Sequence, residues 1–407
     1  MKAVKERVTV VGGCGHVGLP LGIVLAEAGY QTFLYDLNAR LVEQVNAHQM
    51  PHMEEDAPER LKAVIEAKSM HATTDPSVIA DSSIVILTIG TPVDEYLNPR
   101  TGDLENALRS LSPYLKMPGQ LIVFRSTLAP GVLSSLADTL EDQGCQPAIA
   151  YCPERIVQGK ALTELKGLPQ LVSGLTPEAV ERSKVLFQKL TEAEPIVLEP
   201  IEAELAKLFC NAWRYISFAI SNQFYQVAEK SGASFARIHE AVTSQYPRMQ
   251  GFSRAGLTAG PCLLKDTLQL AAFSQNTFFL GHSAMLVNEG LPVVLVDQLS
   301  ERLGGSVRRR RIGLLGLAFK ADNDDTRESL SFKVRKLLCH RGAEVLCHDP
   351  YVSAEKFPHV TFGDLNEILS CDGIIVATAH TLYRGLKIPA KTALVDVWNV
   401  VQQREES

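Results

Sequence analysis

Apolar and polar positions alternate along this chain with two different periods, and the switches between them divide it into three stretches. Val8 to Val11 is a β-branched apolar run, Leu19 to Ala28 has helical character, and Gln31 to Tyr35 is extended again. The same alternation continues in "DSSIVILTIGTPV", "GQLIVFRSTLAPG" and "QPAIAYCPERI", each an apolar run ending in small or polar residues. Strands separated by helical segments predict an α/β domain on a doubly wound sheet over residues 1–197. From 201 to 224 there is no glycine or proline, and apolar residues recur at 205, 208, 209, 212, 216 and 219, which predicts one long amphipathic helix. Glu204, Lys207, Asn211 and Arg214 share its opposite face. Helical character persists through "LPVVLVDQLSERL", giving a middle domain over 198–300. Strand runs then return in "RRIGLLGLAF", "GAEVLCHDP", "DGIIVATAH" and "TALVDVW", a second α/β domain over 301–407.

Length agrees with this division, since 407 residues at roughly 150 per domain predict two or three domains. Hydrophobic content of 46%, charged content of 21% and a net charge of -6 leave no basic excess to attract nucleic acid or an anionic membrane. The run Arg308 to Arg311 directly precedes an apolar strand and reads as its solvated entry. No apolar segment reaches the roughly 18 residues needed to span a bilayer, and the charged start lacks a cleavage site. Those two features predict a cytoplasmic protein, and the eight cysteines, scattered without CxxC pairs or a zinc-type Cys/His spacing, predict neither metal nor disulfides.

The first candidate for chemistry is Gly13, Gly15 and Gly18, a G-x-G-x-x-G turn between the first strand and the first helix. Such glycines let backbone approach a pyrophosphate, and the helix N-terminus offers it free N–H groups. Asp36, at the end of the second strand, can accept from both ribose hydroxyls and would repel a 2′-phosphate, which selects NAD over NADP. Thr91, Ser126, Thr127 and Glu154 follow later strands, as caps or as ligands in the crevice at the strand ends. On the long helix, Lys207 and Asn211 lie one turn apart, either as a solvated face or as donors to an oxyanion. Cys262 follows Gly260 and Pro261 where a helix begins, with Pro261 expected at the first helical position. It is either a packing cysteine or a thiol activated by the helix dipole and Lys265, with Asp266 one turn on. Lys320 and Arg327 are the cations placed to bind a second diphosphate.

Taken together, the order of motifs resembles the UDP-glucose/UDP-N-acetylmannosamine dehydrogenase family of nucleotide-sugar 6-dehydrogenases. The resemblance covers nearly the full chain: "GGCGHVGLPLG" with Asp36, "GTP" at 90–92, "STLAPG" at 126–131, "CPERIVQGKAL" at 152–162, "AELAKLFCNAWR" at 203–214, "GPCLLKD" at 260–266 and "GLAFKADNDDTRES" at 316–329. It implies two Rossmann-like doubly wound domains joined by a long-helix middle domain that forms a homodimer. NAD would be bound through Gly13, Gly15, His16, Val17, Gly18, Asp36, Thr91, Ser126, Thr127, Lys265 and Arg327. The UDP-sugar would be bound through Glu154, Arg155, Lys207, Asn211, Arg248, Gly256, Phe319 and Lys320. The resemblance also implies that Cys262 is the nucleophile, that Lys207 and Asn211 steady the oxyanion, and that Asp266 supports the thiol and the hydrolytic water. Thr127 would hold a water near the sugar C6, and Glu154 would serve acid/base chemistry. The implied reaction is a four-electron oxidation of C6 to the uronic acid through a thiohemiacetal and a thioester.

Two departures bear on substrate. Ala259 and Pro261 stand where many members have glycine and a larger residue, and Arg155 and Gln158 stand where the UDP-glucose branch has Phe and Glu. "CPERIVQG" resembles the branch that oxidises UDP-N-acetylhexosamines. UDP-glucose is the alternative substrate. A two-electron hydroxyacid-type dehydrogenase would have no use for Cys262, and a nucleotide-sugar sensor that has lost its chemistry would form no NADH.

Overall fold

Strands of the first part are apolar on both faces, so each needs cover from both sides. In the computed structural model, which describes residues 5–91, 94, 100–258 and 260–403, Ile84–Leu87, Leu121–Phe124 and Ala148–Tyr151 are buried at every position. They are β4, β5 and β6 of an eight-stranded sheet with β1 (Arg7–Val11), β2 (Gln31–Tyr35), β3 (Met70–Thr73), β7 (Leu171–Gly174) and β8 (Ile196–Val197). Its order is β3-β2-β1-β4-β5-β6-β7-β8, and all pairs are parallel except β6 with β7. The period of two sorts side chains: Val8, Val10, Ile86 and Val123 enter one core, while Val11, Leu87, Ile122 and Phe124 enter the other. Helices α1 (Gly18–Glu27), α2 (Ala39–Asn46), α3 (Ala57–Glu66), α4 (Thr101–Leu111), α5 (Val132–Asp142), α6 (Ala161–Gly167) and α7 (Pro177–Gln188) connect the strands. Chain order reverses between β1 and β4, the point at which the carboxyl ends of strands open a crevice in such sheets.

The chain divides into two compact units, Met1–Cys210 and Asn211–Ser407, with α8 (Pro200–Lys230) running through the boundary. The second unit continues with α9 (Phe235–Thr243), α10 (Leu263–Phe273) and α11 (Phe279–Arg302). A parallel four-stranded sheet follows in the order β10-β9-β11-β13, formed by β9 (Arg311–Leu315), β10 (Glu344–His348), β11 (Gly373–Val376) and β13 (Ala393–Val395). Helices α12 (Leu330–His340) and α13 (Leu365–Leu369) and a small pair, β12 (Lys387–Ile388) with β14 (Gln402–Gln403), complete it. Leu291, Leu295, Val296 and Leu299 of α11 share one core with Ile312, Leu314 and Val395. The helical stretch from 211 to 300 and the C-terminal sheet are thus one packed body. At 24 residues, α11 is long and apolar enough to cross a membrane, contrary to the expectation that no segment reaches that length. Leu291, Leu295, Val296 and Leu299 place one side of it in the core just described, while Phe279, Leu280 and Leu286 are exposed.

The face of α8 predicted to be polar is partly buried. Glu204 is 1% and Asn211 6% exposed, Lys207 is half-buried, and only Arg214 is open. Several apolar side chains instead face outward, among them Trp213 at 68%.

Candidate active site

In the first unit, the turn from β1 to α1 is fastened to β2: the N–H groups of Gly12 and Gly13 both donate to the Tyr35 carbonyl, at 2.9 and 3.1 Å. A Cβ on Gly13 would lie 2.7 Å from Leu34 Cβ, and one on Gly18 2.5 Å from the Gly12 carbonyl oxygen, so neither position admits a side chain. Val17, at the N-cap of α1, offers no capping side chain, which leaves the positive end of the helix to a ligand. His16 beside it packs against His52, the two rings tilted at 41° with centroids 4.1 Å apart. Asp36 accepts from the Cys14 N–H through Oδ2 (3.1 Å) and from the Asn38 N–H through Oδ1 (3.0 Å). Each oxygen keeps a lone pair for a ribose hydroxyl, and the carboxylate is only half-buried. Glycine crevice, uncapped helix and strand-end acid fit an NAD pyrophosphate and ribose. Cys14 is inert, its thiol pushed up to about 12 by burial and then by Asp36.

At the neighbouring strand ends, the Ser126 hydroxyl donates to the Ile89 carbonyl, tying two crevice loops together. Thr91 and Thr127 are half-buried there; Pro92 of the "GTP" motif lies outside the described residues. Glu154 follows β6 and is not a free acid. It is ion-paired to Arg125, which is 1% exposed, and its Oε1 accepts from the backbone N–H groups of Arg155 (2.7 Å) and Ile156 (2.9 Å). Arg125 also donates to the Cys152 carbonyl (3.0 Å) and Gln170 (2.8 Å), with its guanidinium over the Phe187 ring at 4.7 Å. The Arg155 side chain is used on the Pro169 carbonyl. Glu204 closes the N-terminus of α5, accepting from Gly131 N–H (2.7 Å) and Leu133 N–H (3.0 Å). Burial raises its carboxyl above the usual range, and these two bonds only partly offset that. Lys207 sits one turn further along α8.

The second unit builds the thiol site. Cys262 is exposed and occupies the N-cap of α10, so Pro261 precedes the helix instead of opening it. One turn on, Asp266 is fully buried, accepts from Asn211 Nδ2 (2.5 Å) and pairs with Lys265 Nζ (2.7 Å). Arg327 is clamped by Asp325 through Nε (3.0 Å) and Nη2 (2.6 Å), and that clamp, followed by the charge of Cys262, holds its guanidinium more firmly protonated. Gly260, at φ 104°, has Phe319 ring atoms 2.7 Å from where a Cβ would stand, and its N–H donates to the Glu328 carbonyl at 3.4 Å. Ala259 lies outside the described residues. Gly256 faces the Trp398 ring, 2.2 Å from a built Cβ. Lys320, half-buried, follows β9 with Phe319. Arg248 lies on an exposed turn, stacked over Tyr246. Cys262, Lys265, Asp266, Asn211, Arg327, Gly260 and Phe319 are therefore joined within one unit.

Several residues that shape these sites were not singled out from the sequence. Arg125 and Asp325 are two: a single cation ending "LIVF" and an acid two residues before Arg327 were the available signals. Asp349 is a third, at the end of β10 where Asp36 ends β2. It is 9% exposed and accepts from Leu317, Ala318, Tyr351 and Val352 N–H groups and from His380 Nε2. Burial alone would raise its carboxyl, but the His380 bond and the backbone donors outweigh it and hold it low.

Three family models match the chain: the NAD binding domain of the UDP-glucose/GDP-mannose dehydrogenase family over residues 6–191, its central domain over 201–289, and its UDP binding domain over 313–403. Relatives include the UDP-N-acetyl-D-mannosamine dehydrogenase of Pyrococcus horikoshii, 27% identical over 93% of this chain and 91% of that protein. That of Yersinia pestis is 28% identical over 94% and 95%. Among solved structures, a UDP-glucose dehydrogenase from Pyrobaculum islandicum aligns with TM-score 0.90 at 27% identity, over 99% of this chain and 98% of that one. The Pyrococcus horikoshii UDP-ManNAc dehydrogenase aligns with TM-score 0.88 at 25% identity, over 98% and 99%.

Proposed function

This chain belongs to the UDP-glucose/GDP-mannose dehydrogenase family, whose members are NAD-dependent, and from that premise we propose that it oxidises the C6 hydroxyl of a UDP-N-acetylhexosamine, UDP-N-acetylmannosamine foremost, to the uronic acid. The observation that carries the proposal is an accessible thiol at the N-cap of α10 beside Lys265, Asp266, Asn211 and Arg327. A two-electron alcohol dehydrogenase has no need of that cluster. The glycine turn of Gly13, Gly15 and Gly18 with Asp36 would hold NAD, which would supply the hydride acceptor for C6 in each of two rounds. After the first round C6 is an aldehyde. Cys262 sulfur forms a bond to C6, and the carbonyl π pair moves to oxygen, giving a thiohemiacetal anion. Asn211 spends one N–H on Asp266 and keeps the other for that anion, and Lys207 supplies a positive charge one turn away on α8. After the second round C6 is a thioester carbon. Water adds to it, the C–S bond breaks, and the thiolate of Cys262 is restored with the carboxylate product. Four electrons leave C6, two with each hydride.

Relatives named for UDP-N-acetyl-D-mannosamine, together with the "CPERIVQG" segment, support the acetamido sugar, and the UDP-glucose dehydrogenase alignment keeps that sugar in the test. A homodimer through α8 belongs to the same proposal, supported by exposed Trp213, Ile220, Phe224 and Val227 on that helix. A cytoplasmic location belongs to the same proposal, supported by eight cysteines among which no disulfide is formed. The test is an end-point count of NADH, with excess NAD and a limiting amount of UDP-N-acetylmannosamine, UDP-N-acetylglucosamine, UDP-N-acetylgalactosamine or UDP-glucose. Two NADH per acetamido sugar are expected from the wild type, and none beyond the first from C262S. One NADH per sugar from the wild type would point to a two-electron enzyme, and none with any sugar to a binding protein.

A further inference from the structure

Between the turn Pro247–Met249 and α10, the described residues from Ser253 to Cys262 have no helix or strand of their own, yet they carry Gly256 and end on the thiol. Their backbone is held from α8. Asn222, fully buried, accepts from the Gly256 N–H through Oδ1 (2.8 Å) and returns a bond from Nδ2 to the Gly256 carbonyl (3.1 Å). Its second Nδ2 hydrogen goes to Asn288 Oδ1 on α11 (2.9 Å), and Asn288, also fully buried, donates to the Tyr215 carbonyl (3.0 Å). Because the Gly256 N–H can only donate, the orientation of both carboxamides is fixed by the network. On the other side of Gly256 lies the Trp398 ring, itself held by its indole N–H on the Ala377 carbonyl (3.0 Å). Three residues earlier, Ser221 bonds the Ser253 carbonyl (2.6 Å). Gly256 is thus gripped between an amide that reads both of its backbone groups and an aromatic ring that admits only glycine.

We propose that Asn222, backed by Asn288, is a positioning residue of the reaction: it holds the Gly256 to Cys262 segment still while the spent cofactor is exchanged, so that the aldehyde stays bonded to sulfur between the two hydride transfers. This rests on the proposed four-electron oxidation. A thiohemiacetal reverts when sulfur takes back its electron pair and the C–S bond breaks. A segment free to drift would release the aldehyde before the second transfer. A buried polar network this complete fixes one geometry, whereas a half-satisfied one leaves several.

The test uses the full chain with N222D and the milder N288S. Aspartate keeps the acceptor for the Gly256 N–H but sets oxygen against the Gly256 carbonyl and Asn288 Oδ1. Amide exchange of peptides spanning 253–262 should speed by about tenfold or more in N222D and less in N288S, with NAD affinity within about threefold of wild type. NADH per sugar should drop below two, a C6 oxime should appear with hydroxylamine in matching amount, and kcat should fall more than KM rises. A residue that only stabilises the fold would leave two NADH per sugar and no oxime, and that result in a folded variant with a loosened segment overturns the inference. Unchanged exchange overturns it as well. If the wild type yields no NADH, the oxidation itself is refuted, and with it the proposed role of Asn222.

Discussion

Replacing Arg125 by methionine asks what a buried charge is worth when its partner is removed. The side chains of Arg125 and Glu154 are 0% and 9% exposed, and among the described residues the carboxylate's other partners are the N–H groups of Arg155 and Ile156. Taking away one member of a buried pair costs about 3–5 kcal/mol, because the remaining charge stays desolvated. Methionine replaces much of the volume over Phe187, so packing recovers part of the contact but none of the charge. Against a typical folding stability of about 5–15 kcal/mol, a loss of this size is large. The double variant R125M/E154Q removes the charge as well, while the glutamine carbonyl still accepts from Arg155 and Ile156. It should lie about 2 kcal/mol or more above R125M, the signature of a coupled pair. Equilibrium urea unfolding of wild type, both single variants and the double variant measures the cycle. Stability of R125M within about 1 kcal/mol of wild type, or a double variant no better than R125M, would refute the buried-pair argument.

Other consequences are equally specific. Asp36→Ala should lower the preference for NAD over NADP by about tenfold or more, read from kcat/KM with each cofactor; unchanged selectivity would separate Asp36 from the ribose. Glu204 has its carboxyl raised by burial, so its contribution favours the fold below the unfolded value near 4.5 and is lost as pH rises through the folded value. The stability of wild type relative to E204Q should therefore decline from pH 4 to pH 7, measured by urea midpoints, and a rising difference would contradict the sign. Gly256→Ala drives a methyl into the Trp398 ring and should cost about 1–3 kcal/mol, with wild-type stability counting against the close approach.

Much of the scaffold is visible in the chain because local periodicity carries it. Ile84–Leu87 and Leu121–Phe124 are strands as their unbroken apolar runs predict, and the turn at Gly13 and Gly18 is dictated by contacts with Leu34 and Gly12. Cys262 lies at a helix start because Gly260 takes a left-handed conformation just before it. What local pattern does not carry is the partner. Glu204 and Asn211 read as a solvent face until the α5 N-terminus and Asp266 cover them. Arg125, a cation after four apolar residues, gives no hint of a carboxylate 29 positions away. Trp398 closes on Gly256 from the far end of the chain, and α11, apolar enough for a bilayer, packs against α12, β13 and β11.

The two acids that follow β2 and β10 occupy equivalent places beside the first strand of each sheet, but only Asp36 keeps vacant acceptor positions. Asp36 has two backbone partners and vacant lone pairs; Asp349 has four backbone partners and a buried imidazole, and is full. A scaffold used twice in one polypeptide faces a problem of address, since a dinucleotide could be delivered to either copy. Here the strand-end acid of the second copy is sealed from within, so the two sheets offer different surfaces at the same topological position. Removing His380 alone would not unseal Asp349, because the N–H groups of Leu317, Ala318, Tyr351 and Val352 already fill both carboxylate oxygens.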